Sequence, residues 1–579
     1  MEDSGASDEI RNMWQETHAI SEIIETIAFQ PRFSYYFGSS REGTTTDDMN
    51  PDIDTVYVDN SLPVITDCSD VPGQEYLLLV QDDNTQPGYA KLQLVFNGVP
   101  LFQNINGILD AMRFKARLLM KTCADKDNRL VVSFNPDIGM ERHGPAIYFA
   151  GGPFTGDFVS AFSLSQLPGC VEEWSSRTRH YNWPSVDVID RCKTLGCLFV
   201  PVGHPHSDEQ YLEWRLSLSH QERLLVSLFN SVQHKCFILL KLWKKDVLPS
   251  WIEQESLSSY HCKTALFYMI ENTPSNFWRP DNLLVCFVAC LRLFLFWTIH
   301  GICPNYFIPA ENMFDRRIHG ELQLNLHQAL ENMLSQDCRY LTQISTSHIG
   351  DRLISSVTVP MLRRFDYSES VLCYSRTKSR LAITTVADLF LCQNYLIQKC
   401  FSDNSQRCLI NLYNQCQNLK HTTRITEHTE EETQRAISYI VPHIDLHLMT
   451  GMVALAKQQG RSREEIWRFL TSDSWNHLSL RSDISVKLKQ ASLMCMFGYH
   501  HASLDILSAT ELRGIYSRCY CYLNRERMAV PTLDEWINAG TNQPAVSMER
   551  MANRLLVTCV VFLPAERNVT PDALCYEML

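Results

Sequence analysis

Two aspartates one residue apart, Asp52 and Asp54, follow the pair Gly38-Ser39 after a short polar stretch. In a strand, alternate side chains share a face, so the two carboxylates would point one way while Ile53 enters the core. Carboxylates held side by side repel unless a cation lies between them, and hard Mg²⁺ takes such oxygen ligands while leaving positions open for phosphate. Gly38 lets backbone approach closely, and backbone N–H groups with the Ser39 hydroxyl can grip a triphosphate. Taken alone, the same pattern is also common in surface loops.

A rival set of ligands is Cys192, Cys197, His204 and His206, suited in kind to Zn²⁺ but spaced unconventionally, so core packing is the expectation for them. Walker, dinucleotide and HExxH motifs do not occur, which removes the usual ATPase, dehydrogenase and zincin readings.

The elements that must position these residues lie in a chain of 579 residues, enough for several domains. Its 45% hydrophobic and 20% charged composition is that of a folded globular protein and excludes collagenous and disordered classes. A net charge of −13 argues against a surface that coats nucleic acid or membrane throughout, though not against a local basic patch. The 21 cysteines are scattered without framework spacing, and the acidic start MEDSGASDE has no signal-peptide character, so a reducing, cytoplasmic setting is expected. Leu283 to Ile299 is apolar enough to approach a membrane span, but Arg292 interrupts its middle and the expectation is a buried core helix rather than a span.

Periodicity predicts a helix over residues 9–28, strands near Ile53–Val58, Leu78, Leu92, 130–135, 146–150 and 157–162, and a helix over 105–122. From about Tyr211 the period becomes 3.6, with helices expected at 220–246, 259–272, 281–300 and 322–343. The segment ASLMCMFGYHHASLDIL reads as a single helical pair turning at Gly498. The fold class is therefore α+β. Residues 1–205 are expected to form a core lobe with an N-terminal helix, 206–345 a helical lobe, and 346–579 an α-helical C-terminal extension with a polar linker near 402–435.

The run from GSS through DID resembles the nucleotidyltransferase signature of the Mab-twenty-one superfamily, which contains the cyclic GMP-AMP synthases. The likeness continues through GPFTGDFVSAF, EWRLSLSHQERLL, CFILLKLWKK, SSYHCKTALF and PNYFIP in order, over about residues 10–340. It implies a bilobal nucleotidyltransferase core and makes Asp157 a third acidic residue, so that Asp52, Asp54 and Asp157 would share two Mg²⁺ (or Mn²⁺) ions for attack by a ribose hydroxyl on a nucleoside triphosphate. It also implies that Gly38 and Ser39 hold phosphate, that Arg215 contacts base or phosphate, that Lys241 offers a point charge, that Ser259 and Tyr260 hold and stack a base, and that Glu222 is a pocket carboxylate. The plainer alternatives are a salt bridge for Arg215, a solvated helix face for Lys241, a packing aromatic for Tyr260 and a surface ion pair for Glu222.

One departure matters. The DNA-sensing member carries a zinc-binding insertion between the elements matching SLSHQE and CFILLK, where this chain has only His220, His234 and Cys236, so no zinc is expected. The resemblance thus implies a cyclic GMP-AMP synthase-like receptor that joins ATP and GTP into a cyclic dinucleotide, with double-stranded RNA favoured over DNA as activator. The alternative is a catalytically silent binding or scaffold protein whose C-terminal helices recruit a partner. Arg113, Lys115, Arg117 and Lys121 form a short basic run on an expected helix, suited to phosphate-backbone contacts or equally to a solvated face.

Overall fold

The computed structural model describes residues 1–29, 32–49, 51, 53–59, 63–66, 75–80, 85–96, 99–100, 140–143, 146–151, 154–208, 210, 213–250, 257–315, 318–358, 371–378, 380–381, 432, 434, 436, 453, 456–457, 459–471, 484–508, 519–521 and 556–558. Asp52, the basic run Arg113, Lys115, Arg117 and Lys121, the helix expected at 105–122, the strand expected at 130–135 and most of the 402–435 linker lie outside the described residues.

Helix α1 (Asp8–Phe29) opens the fold with Asp8 and Glu9 in its first turn, where they complement the positive end of the helix dipole. Strand β1 (Arg32–Phe37), the short helix α2 (Gly38–Glu42) and strand β2 (Ile53–Asp59) follow. Next come β3 (Val64–Ile65), β4 (Glu75–Val80), β5 (Tyr89–Phe96), β6 (Val99–Pro100), β7 (Met140–His143), β8 (Ala146–Gly151) and the long β9 (Phe154–Leu164). Helices α3 (Glu172–Ser176) and α4 (Val186–Thr194) lead to β10 (Cys197–Val200) and β11 (Glu213–Ser217).

Eleven of these strands join one mixed sheet whose path runs β1-β2-β9-β10-β11-β5-β4-β3, with β6 beside β5 and the β7–β8 hairpin added on β9. Most pairings are antiparallel, but β2 and β9 run parallel at the heart of the sheet. The 3.6 period expected from Tyr211 begins only at Ser219: Glu213–Ser217 is a strand that alternates buried and half-buried side chains from Trp214 onward and pairs with both β10 and β5. Arg215 therefore stands on the sheet and not on a helix.

The helices that follow are α5 (Ser219–Ser227), α6 (Ser231–Asp246), α7 (Ser259–Glu271), α8 (Leu283–His300) and α9 (Gly320–Leu334). The helix expected over 220–246 is broken at Asn230, whose side chain accepts from the N–H groups of Val232 and Gln233 while Gln233 returns a bond, a capping box that starts α6. A dense core holds this lobe to the sheet, with Trp174, Phe162, Phe199, Phe237, Trp243 and Tyr306 all enclosed. Beyond it lie α10 (Ile349–Thr358), α11 (Arg463–Leu470), α12 (Ile484–Met496) and α13 (His500–Ser508). The expected pair is present: α12 packs on α13 across a turn where Gly498 takes φ +75°, a left-handed conformation that suits glycine. A two-stranded parallel pair, Cys519–Cys521 with Leu556–Thr558, is the one strand pairing described beyond residue 345.

Helix α8 departs from the expectation of a buried helix. Cys286, Phe287, Cys290, Leu291, Phe294 and Trp297 are buried, yet Leu284, Val285, Phe296 and Ile299 are exposed. By length and composition, Pro280–His300 is long and apolar enough to cross a membrane. In this structure one of its faces packs against α6, α7 and α9.

Candidate active site

The parallel pairing of β2 and β9 sets Asp54 directly opposite Asp157. Adjacent strands lie about 4.8 Å apart, and register partners project to the same face, so the two carboxylates stand side by side. On the other edge of β2, Asp54 is the register partner of Phe37, the last residue of β1. The chain then turns at Gly38 with φ +72°, and a Cβ at that position would overlap Oδ2 of Asp54. Glycine is required there twice over, for the left-handed backbone and for the space the carboxylate fills.

Ser39 follows Gly38 in the first turn of α2, and α2 is held from both sides. From the helical lobe, Lys241 of α6 donates to Ser39 Oγ at 2.6 Å and to the Thr44 carbonyl at 2.6 Å. Lys241 is buried, so it is not on the solvated helix face that its sequence also allowed. Burial pulls its ammonium down to about 8, with the nearby Lys263 acting in the same sense and the carboxylates of Glu42 and Asp54 opposing it. Lys263 of α7 bonds Glu42 at 2.6 Å and Glu222 at 3.2 Å. Burial works against its charge, but the two carboxylates more than offset this and hold its ammonium above the ordinary lysine value. Burial also raises the Glu222 carboxyl, with Lys263 opposing the shift. Glu222 is thus half-buried and tied into an ion pair with Lys263 instead of a surface one.

From behind, α1 braces the same segment. Gln15 Nε2 donates to the Glu42 carbonyl at 3.0 Å, and Arg41 Nη1 donates to the Gln15 carbonyl at 2.9 Å. Glu22, fully buried, accepts from Arg223 of α5 and from the Tyr36 N–H, and lies 3.6 Å from Arg41. A buried carboxylate is tolerated when it is paired and hydrogen-bonded, and here the pairing joins α1, β1, α2 and α5. His234 of α6 adds a bond to the Gly43 carbonyl at 2.8 Å.

A second group stands on β11, α5 and α7. Arg215 is half-buried on β11, and its charge is felt by both Glu222 and Tyr260. Burial raises the Tyr260 phenol well above its usual value, reinforced by Glu222 and Glu311, while Asn305 hydrogen-bonds it. Asn305 Nδ2 in turn donates to Glu311 at 2.8 Å. Ser259 is exposed in the first turn of α7, beside the Ser258 cap.

The structure therefore gathers Gly38, Ser39, Asp54, Asp157 and Lys241 at one end of β2, and Arg215, Glu222 and Tyr260 around Lys263 and Asn305. Asp52 is outside the described residues, so the third carboxylate is not placed. Among the described residues, no three His, Cys, Asp or Glu gather in a metal-binding group. Two oxygen donors on neighbouring strands, with glycine beneath one of them, are a donor set that fits a hard divalent cation. The rival cysteine and histidine set is dispersed: Cys192 and Cys197 are packed in the core, while His206 faces solvent.

Glu42, Lys263, Glu22 and Glu311 were not singled out by the sequence. Glu42 ends the same five-residue helix that Gly38 begins, and Lys263 stands one helical turn after Ser259, but neither spacing is distinctive without the partner that meets it across the fold.

Residues 232–332 match the family described as the Mab-21 protein HhH/H2TH-like domain. Cyclic GMP-AMP synthase of Mus musculus is 30% identical over 118 residues, 18% of this chain and 23% of the synthase. That of Sus scrofa is 34% identical over 152 residues, 23% of this chain and 30% of the synthase. The protein mab-21-like of Drosophila melanogaster is 24% identical over 265 residues, 40% of this chain and 66% of the relative. The chain is thus similar in part to Mab-21 and cyclic GMP-AMP synthase-like proteins. In each case the chain spans less than two thirds of the relative's length, and under a third of either synthase.

Proposed function

We propose that the chain is a metal-dependent nucleotidyltransferase that joins two nucleoside triphosphates, ATP and GTP, into a cyclic dinucleotide. The observation that carries this reading is the placement of Asp54 and Asp157 as register partners, with the Asp54 carboxylate against Gly38. In this reading Asp52, Asp54 and Asp157 hold Mg²⁺ or Mn²⁺, which when bound would lower the pKa of a ribose hydroxyl and neutralise charge on the leaving pyrophosphate. Ser39 and the backbone of α2 orient the triphosphate, and Lys241 supplies positive charge from the opposite lobe. Arg215 and Tyr260 engage base or phosphate, with Ser259 at the rim and Glu222 steadied by Lys263. Double-stranded nucleic acid, RNA favoured over DNA, is the proposed activator, with Arg113, Lys115, Arg117 and Lys121 as backbone contacts, and the cytoplasm is the proposed setting. The same domain division, 1–205, 206–345 and 346–579, belongs to this reading.

A second reading is a catalytically silent Mab-21-type binding or scaffold protein, and the comparisons lean toward it. The family match covers only part of the helical lobe, and of the three relatives named the longest alignment is to the mab-21-like protein. One experiment separates the two. Purified chain is incubated with Mg²⁺ or Mn²⁺, mixed ribonucleoside triphosphates and either duplex RNA or duplex DNA. Pyrophosphate release with a phosphatase-resistant product of dinucleotide mass supports the synthase. Products that keep lengthening indicate a linear nucleotidyltransferase, and no product with any metal or duplex supports the silent reading.

A further inference from the structure

Helix α8 is apolar on nearly every side apart from Arg292, yet only half of it is covered. At 3.6 residues per turn, Leu284, Ile299, Val285 and Phe296 fall within an arc of about 120°, opposite the face that packs on the lobe, and run about 22 Å along the axis. They are 47%, 60%, 53% and 55% exposed, and Leu324 of α9, 68% exposed, and Ile302 add to the exposed apolar surface at this end of the lobe. Scattered exposed apolar residues need no explanation, but two exposed apolar pairs at either end of one helix face, with half-buried Val288 and Leu295 between them, mark a surface that something covers.

Arg292 stands near the centre of that arc. It is exposed, and among the described residues it has neither an ion pair nor a hydrogen bond. This charge distinguishes the occupants. Hydrocarbon would have to take up an arginine in the middle of the stripe, at considerable cost. A second copy docked about the centre of the stripe would bring Arg292 against Arg292, and like charges oppose each other across an interface. An amphipathic helix with apolar anchors at i, i+3/i+4 and i+7 and one carboxylate among them meets both the apolar stripe and its charge.

We infer that the outer face of α8 docks an amphipathic helix of a partner protein that carries an aspartate or glutamate in the middle of its apolar stripe, paired with Arg292. This surface is independent of the carboxylate site, and its test does not require any enzymatic activity.

The probe is a labelled synthetic amphipathic peptide of roughly 20 residues, long enough to run the length of the stripe, made with either Glu or Lys at its central apolar-face position. Fluorescence anisotropy is measured against the full chain. The Glu peptide is expected to bind about tenfold more tightly than the Lys peptide, Arg292→Glu to reverse that order, and Phe296→Ser to weaken both. Both substituted side chains are exposed, so circular dichroism and melting should match the parent. Equal affinities, absence of binding, or no reversal in Arg292→Glu would overturn the inference. So would concentration-dependent dimerisation lost in Phe296→Ser, which assigns the face to a second copy. Sedimentation with phosphatidylcholine vesicles lost in the same variant would assign it to lipid and overturn it equally.

Discussion

Asp54 and Asp157 are paired residue to residue across two parallel strands, and the Asp54 carboxylate fills the space that a side chain on residue 38 would need. Backbone hydrogen bonding thus fixes the relation of two acidic groups that are far apart in sequence. Each replaced singly by asparagine, they keep shape and lose charge. Asp54→Asn and Asp157→Asn are each expected to reduce nucleotidyl transfer by at least about a hundredfold, with melting temperature nearly unchanged, because loss of charge-stabilising groups acts on the transition state. Product formation alongside a thermal melt checks both halves of the statement.

Gly38→Ala acts on the same point by another route. The left-handed backbone costs about 1–2 kcal/mol for a residue with a Cβ, and that Cβ must displace the Asp54 carboxylate. A measurable drop in melting temperature with loss of transfer is expected. A Gly38→Ala protein as stable and active as the parent would show that the close approach of Gly38 and Asp54 is not needed.

Lys263 satisfies two carboxylates, the buried Glu42 and the half-buried Glu222. Lys263→Met leaves both without their cation, and removing one partner of a buried ion pair typically costs about 3–5 kcal/mol. Urea unfolding should show that loss. Glu222→Gln should cost less, since the longer 3.2 Å contact is lost and the 2.6 Å bond to Glu42 survives.

Lys241 gives a pH dependence of defined sign. Its folded-state value, about 8, lies below the ordinary 10.5. The folded chain releases this proton first, so between about 8 and 10.5 the unfolded chain holds more protons and stability rises with pH on account of this group. Attraction for phosphate moves the opposite way and fades as the ammonium is lost. ATP affinity, followed by calorimetry, is expected to weaken about tenfold as pH rises through 8, and Lys241→Arg to abolish that limb because guanidinium stays charged.

Two enclosed histidines set the acid limit. Burial lowers His18 and His234 to about 4 from 6.5, although each ring bonds a backbone carbonyl, Trp14 and Gly43 respectively. Their contribution to stability is complete above 6.5 and is lost as pH falls toward 4, since the unfolded chain takes up the protons first. The melting temperature should fall across that window, and His234→Gln should flatten part of the decline.

Local pattern carried much of this protein. The 3.6 period marked α1, α6, α7, α8 and α9, alternation marked β2, and Gly38-Ser39 with Asp52 and Asp54 stood out by residue type and spacing, while Asp157 was reached only through the family resemblance. The break at Asn230 and the strand at Glu213–Ser217 were harder to read: a capping side chain interrupts an apolar run without changing its composition, and a five-residue strand is too short to separate from the helix that follows it. The cover on α8 could not be read from a segment apolar on nearly every side, because such a sequence does not say which side is packed.

By itself, the order of residues determined the element types and supplied the acidic, basic and glycine residues of the site, because propensity, periodicity and capping act over a few neighbours. Only the tertiary structure decided which of them meet. Strand register joined Asp54 to Asp157, and lobe packing brought Lys241 to Ser39 and Lys263 to Glu42 and Glu222. Those contacts span 40 to more than 200 residues, as between Glu222 and Lys263 or Ser39 and Lys241, and arise when buried charge seeks a partner anywhere in the fold, a demand that no local stretch of chain can express.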